Sequence, residues 1–147
     1  MHPNSRKALQ QTRNNARKEK IKKTKRTFRK EKVEPEIDRL TWIQLYIPVY
    51  TEEKNRSIDR IEDLREILRR YVNRNAEEIA EKENLPKEAS SRLRALKQTR
   101  ELERKEFLSG ISVPDITDKN TFARFLKWDG DYNAIRSFKA IRVSSSK

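Results

Sequence analysis

"SIDRIEDLREILRRYVNRNAEEIAEKE", residues 57–83, is the stretch that decides the fold class. Ile58, Ile61, Leu64, Leu68, Tyr71, Val72 and Ile79 follow helical spacing, with charged residues between them. The pattern predicts one amphipathic helix, capped at its start by Ser57 and ended by "NLP" at 84–86. Upstream, Pro35 marks a break and stands as the first residue of a new helix, "PEIDRLTWIQLYI". Ile37, Leu40, Ile43 and Ile47 lie near one face of it, with Trp42, Leu45 and Tyr46 alongside, and "PVYTEEKNR" (48–56) reads as a loop. Downstream, a helix is expected over about 88–108, with Leu93, Leu96, Phe107 and Leu108 on one side and Leu102 opposite. Ser109-Gly110 stops it, and "ISVPDI" is extended because Val113 precedes a proline. "DKNTFARFLKWDG" is a short helix with Phe122, Phe125 and Leu126 inward and Gly130 at its end. "DYNAIRSFKAIRV" offers one more helix through Ile135, Phe138 and Ile141.

The totals agree with an all-α reading. The chain has 147 residues, 40% charged and 33% hydrophobic, and its two glycines leave little turn chemistry for a β-rich fold. One small helical domain is expected over residues 35–143, preceded by a basic helical extension over 1–34 and followed by a disordered tail over 144–147.

Charge is the main functional clue. Residues 1–32 hold thirteen Lys and Arg against Glu19 and Glu31, so a net +11 of the chain's +13 sits in its first fifth. The segment 5–32 has no proline or glycine and is rich in helix formers. Its apolar residues make no stripe: Leu9 and Ala16 share one side, Ile21 and Phe28 another. Such a helix gains little by packing on its own protein, and self-repulsion should fray it until an anion orders it. The candidate phosphate contacts are Arg6, Lys7, Arg13, Arg17, Lys18, Lys20, Lys22, Lys23, Lys25, Arg26, Arg29 and Lys30. Phe28 alone in this segment could meet a base, so shape and charge should matter more than sequence. "KIKKTKR" (20–26) also resembles a nuclear localisation signal.

Other chemistries find no footing. There is no Cys, the one His stands at position 2, and Gly110 and Gly130 are isolated. Disulfides, thiolate metal sites, a His-based triad and a glycine-rich phosphate loop are therefore excluded. The expectation is a non-enzyme without metal or cofactor, with no small-molecule substrate. No apolar run approaches the roughly 20 residues of a membrane span, and the basic start has no apolar segment after it. A soluble intracellular protein that makes no use of a membrane is expected. Leu40, Ile47, Lys54, Ile61 and Leu68 recur every seven residues behind the basic segment, the layout of a basic leucine zipper. Pro48 and the central Lys54 argue against it. Trp42, Tyr46, Phe122, Phe125 and Trp128 sit in apolar helical patterns and read as core before they read as base-stacking groups.

Five stretches, in order, resemble the translation machinery-associated protein 16 family. They are "HPNSRKALQ" (2–10), "LTWIQ" (40–44), "YVNR" (71–74), "LKQTRELERKEFLSGISVPDITD" (96–118) and "FLKWDGDYNAIRSFKAIRV" (125–143). The resemblance implies a nuclear and nucleolar, non-enzymatic ribosome biogenesis factor on precursors of the large (60S) subunit. Its partners would be large-subunit rRNA and ribosomal proteins of that particle, with the chain a monomer within it. On matching positions it implies Arg6 and Lys7 as anchors, with Gln98, Arg100, Arg136 and Arg142 on the same surface. Family members often carry more basic residues ahead of the His-Pro pair and longer acidic tails, so any role of those extensions is expected to be lost or reassigned here. A chromatin or DNA-binding protein and a protein–protein adaptor remain the alternatives from the residues alone.

Overall fold

The structure, a computed structural model, describes residues 5–84 and 90–146. The stop expected at Leu85-Pro86, a helix start at residue 88 and the His2-Pro3 pair lie outside them. The chain divides into two compact units, Met1–Asp38 and Arg39–Lys147.

In the first unit, helix α1 (Arg6–Phe28) starts at Ser5, whose side chain accepts from the Ala8 amide at 3.2 Å. None of its residues is buried, as the missing apolar stripe implies. A π turn (Arg29–Val33) follows, and α2 (Glu34–Lys54) continues from it. The helical backbone therefore runs through Pro35, which corrects the expected break. The Glu34 amide reaches back five residues to the Arg29 carbonyl. A proline ring collides with the carbonyl four residues before it, and the wider turn just ahead of Pro35 absorbs that conflict.

In the second unit, α2 buries Leu40, Ile43, Ile47 and Tyr50, while Leu45 is exposed. The loop expected over 48–56 is helix as far as Lys54, with Pro48 inside it. An interior proline costs about 3 kcal/mol. Here packing holds the helix on both sides of it: Ile47 and Tyr50 are buried, and Gln44 Nε2 donates to the carbonyls of Phe125, Leu126 and Trp128 at 2.9–3.2 Å. The helix ends instead at Asn55, the one described non-glycine residue with positive φ (51°). A zipper would thus be cut after Lys54 and not at Pro48.

The long helix read over 57–83 is two helices, α3 (Ile61–Val72) and α4 (Ala76–Glu83). Ser57 does not cap α3. Asp63, at the third helical position, turns back to the amides of Arg60 (3.3 Å) and Asp59 (3.4 Å). Leu64, Ile67, Leu68, Tyr71 and Val72 form the buried side of α3, and Ile79 anchors α4. Helix α5 (Ser90–Ser109) buries Leu96 and Phe107. Leu102 is exposed, as its position opposite implied, and Leu108 is exposed too, against expectation, because its backbone position lies away from the Leu96–Phe107 side.

Strand β1 (Ile111–Pro114) follows, then α6 (Lys119–Leu126), α7 (Tyr132–Ile135) and β2 (Ala140–Val143). Asp118 caps α6 through the Thr121 amide, and Leu126 is exposed while Phe125 is fully buried. The last helix expected through Ile141 stops at Ile135. Instead β2 pairs antiparallel with β1, Ile111 opposite Val143 and Val113 opposite Ile141. An extended β1 needs a partner for its backbone groups, and the β-branched Ile141 and Val143 suit that ladder. Beyond β2 the Ser145 amide donates to the Phe107 carbonyl at 3.0 Å, and Arg65 Nε donates to the Ser144 carbonyl at 2.9 Å. The two short strands are a minor sheet in an otherwise helical protein.

Candidate nucleic-acid interface

A helix of 23 residues reaches roughly 35 Å. Along α1, Arg6, Arg13, Arg17 and Lys20 follow one side. Lys7, Lys18, Lys22, Lys25 and Arg26 follow a second, and Lys23 falls between the two on the remaining side. The charge therefore surrounds the helix. Thr12, Thr24 and Thr27 turn their hydroxyls onto the helix's own carbonyls four residues back, at 2.9–3.0 Å. What α1 offers outward is mainly cations.

Those cations have almost no internal counterions. Among the described residues, the sequence-derived candidates from Arg6 to Lys30 form one ion pair, Arg29 to Glu34 at 3.8 Å, exposed on both sides. Ten long cationic side chains against the single carboxylate of Glu19 raise the free energy of the isolated helix by mutual repulsion. A polyanion lying along the helix would relieve it.

Bases in the second unit are engaged differently. Arg56 forks onto Asp63 at 2.6 and 2.9 Å, and Tyr50 donates to the same carboxylate at 2.7 Å. Burial pushes the Asp63 carboxyl up, but the bonds from Arg56, Tyr50 and the Asp59 amide outweigh it and hold the group at about 2. Burial and the two acids Asp63 and Glu66 push the Tyr50 hydroxyl well above its ordinary value. Arg70 forks onto Glu53 (2.7 and 3.0 Å), reaches Glu66 at 3.0 Å and donates to the Tyr46 hydroxyl. Arg74 forks onto Glu103 at 2.6 and 2.8 Å and lies 4.0 Å over the Tyr71 ring. Arg39 forks onto Glu106. These contacts join α2, α3 and α5 and occupy the charges that make them.

The sequence matches the family model described as translation machinery-associated protein 16 across residues 1–145. The chain belongs to that family. A mouse protein of that name is 30% identical over 149 residues, covering 95% of this chain and 64% of the mouse protein. A bovine protein of the same name is 28% identical, covering 99% of this chain and 73% of its own length. One from Saccharomyces cerevisiae is 25% identical, covering 98% and 82%. The chain thus spans just under two thirds of the mouse protein's length.

The remaining candidates in this translation machinery-associated protein 16 family member are dispersed. Gln98 and Arg100 lie mid-way along α5, Gln98 exposed and Arg100 half-buried in the field of Glu83. Arg142 on β2 donates to the Ser109 carbonyl at 2.9 and 3.3 Å, closing the far end of α5 roughly 16 Å from Gln98 along the helix. Arg136 is exposed after α7. Arg94 on α5 was not singled out by sequence reasoning. It is exposed and has no ion-pair partner among the described residues. The usable signal was the absence of any acid within four positions of it, which removes helical pairing. The aromatics read as core divide further. Phe125 and Trp128 are buried, whereas Trp42, Tyr46 and Phe122 are half-buried. Trp42 stacks on Tyr46 at 4.7 Å between ring centroids. Among the described residues no helix is long and apolar enough to cross a membrane, and no group of three acids or histidines is arranged to hold a metal.

Proposed function

We propose that this chain is a non-enzymatic assembly factor of the nucleus and nucleolus that binds the precursor of the large ribosomal subunit. Helix α1 lies along rRNA, its Lys and Arg side chains on phosphates, and the helical domain from residue 35 onward occupies a neighbouring surface of the particle. The domain acts as a placeholder, holding that surface and excluding later partners sterically. One observation carries the reading: a helix of roughly 35 Å with no buried residue, ten bases, one acid and, among the described residues, no ion pair. The family name, shared by relatives from yeast to mammals, supports a partner in the translation machinery.

Phosphate binding of this kind proceeds by counterion release. With about six phosphates engaged, log affinity falls against log salt with a slope of roughly −4 to −5. The decisive experiment is ultraviolet cross-linking in cells followed by sequencing of the attached RNA. Reads on large-subunit rRNA together with unprocessed spacer are expected. Mature rRNA without spacer would move the protein to working ribosomes. Scattered reads would return the basic helix to chromatin or to an adaptor role.

A further inference from the structure

One face of the first unit differs from the rest of the basic helix. Lys20, Lys23, Thr24, Thr27, Phe28, Glu31 and Lys32 line a shallow trough of about 530 Å³. Its floor is apolar. The Thr24 and Thr27 hydroxyls are committed to the carbonyls of Lys20 and Lys23, which leaves their methyl groups as the outward part of each side chain. Phe28 is 54% exposed, a large cost for an aromatic ring in water. It is the last residue before the π turn, and the extra residue in that turn places both Glu31 and Lys32 beside it. Around this floor stand three Lys and one Glu, with the other ten bases of the segment 1–32 beyond. An apolar protein groove would be repelled by nothing here, but it would leave the surrounding charge unanswered. A nucleotide answers both parts, with a flat apolar face for the ring and phosphates on either side for the lysines.

We propose that Phe28 is a stacking platform for one unpaired nucleobase, a bulged or looped-out nucleotide, whose flanking phosphates are held by Lys20, Lys23 and Lys32. The site rests on the rRNA reading and sharpens it. The remainder of α1 tracks phosphates without regard to sequence, and Phe28 fixes the position of the helix along the RNA at an unpaired base. Stacking tolerates any base, so the selectivity is for an unpaired nucleotide over a paired one.

The test uses the full chain and two RNA probes, a perfectly paired duplex and the same duplex with a single bulged 2-aminopurine. Binding is measured by fluorescence anisotropy, and stacking by the 2-aminopurine emission. Wild type should prefer the bulged probe and change its emission. Phe28→Ala should weaken bulged binding roughly five- to a hundredfold. It should leave the duplex affinity and the salt slope of both probes in place, while Phe28→Tyr retains the emission change. Lys23→Ala should instead lower the salt slope by about one on either probe. Circular dichroism of each variant checks that α1 remains helical. If the chain binds both probes with the expected slope and Phe28→Ala alters neither affinity nor emission, the stacking site is wrong and the phosphate reading stands. If neither probe binds, the rRNA reading itself fails. Equal weakening on both probes with unchanged emission would overturn the stacking site and assign Phe28 to the integrity of α1.

Discussion

Helices α1 and α5 are close in length, 23 and 20 residues, and both are rich in cations. Their charges do opposite things. Helix α5 carries six bases and three acids, and four of these nine charges are paired within the protein. Arg92 meets Glu78, Lys97 meets Glu83, and Glu103 and Glu106 receive Arg74 and Arg39. Helix α1 carries ten bases and one acid, with no internal ion pair among the described residues. Composition alone calls both helices basic. Pairing separates a charge that builds the fold from one that is left for a partner.

The largest test of this contrast is removal of residues 1–34. The chain starting at Pro35 should remain soluble and helical by circular dichroism, while affinity for structured RNA falls by at least a hundredfold in filter binding at low salt. Unchanged binding would mean that α1 is not the anchor and that α1 and α5 do not differ in the way described.

Next comes the paired side of the contrast. Asp63 is 2% exposed and receives Arg56, Tyr50 and two backbone amides. Asp63→Ala should destabilise the protein by about 3 kcal/mol or more in urea denaturation, because Arg56 and Tyr50 lose their shared partner and α3 loses its cap. No single Lys→Ala change in α1 should do this.

The same carboxylate predicts a pH dependence of stability. Its folded value of about 2 lies below the ordinary unfolded value near 4. Its contribution, on the order of 2–3 kcal/mol, is present above about pH 4 and is lost as pH falls through 2. Urea midpoints at pH 6, 4 and 2.5 should show that loss in the wild type and not in Asp63→Asn. A wild type and variant with parallel profiles would remove Asp63 from the acid response.

At the small end, Arg17→Ala should lower the RNA salt slope by about one and weaken binding a few-fold without moving the urea midpoint. Lys97→Ala, on α5, breaks an exposed pair with Glu83 and should change neither quantity detectably. The reverse result, RNA binding more sensitive to Lys97 than to Arg17, would invert the comparison.

How much of this was legible beforehand follows the range of the forces involved. Charge excess in residues 1–32, the apolar side of α3 and the extended "ISVP" depend on residue type and near neighbours, so the sequence by itself determined them. The candidate phosphate contacts of α1 were equally visible, because nothing folds over them. Four features depended on partners distant in the chain. Helix α2 continues through Pro48 because packing of Ile47 and Tyr50 and the hydrogen bonds that Gln44 Nε2 donates to the carbonyls of Phe125, Leu126 and Trp128 outweigh a local penalty. Asp63 starts α3 because it is buried beside Tyr50 and paired with Arg56. Residues 140–143 are a strand because β1 needs a ladder partner, although Ile135, Phe138 and Ile141 also fit a helical period. The engagement of Arg39, Arg70 and Arg74 is also tertiary, since their acids lie 67, 17 and 29 residues away along the chain. A sequence counts charges and displays periods. Only the folded chain decides which charges have already met their counterions, since that is a matter of distance in space.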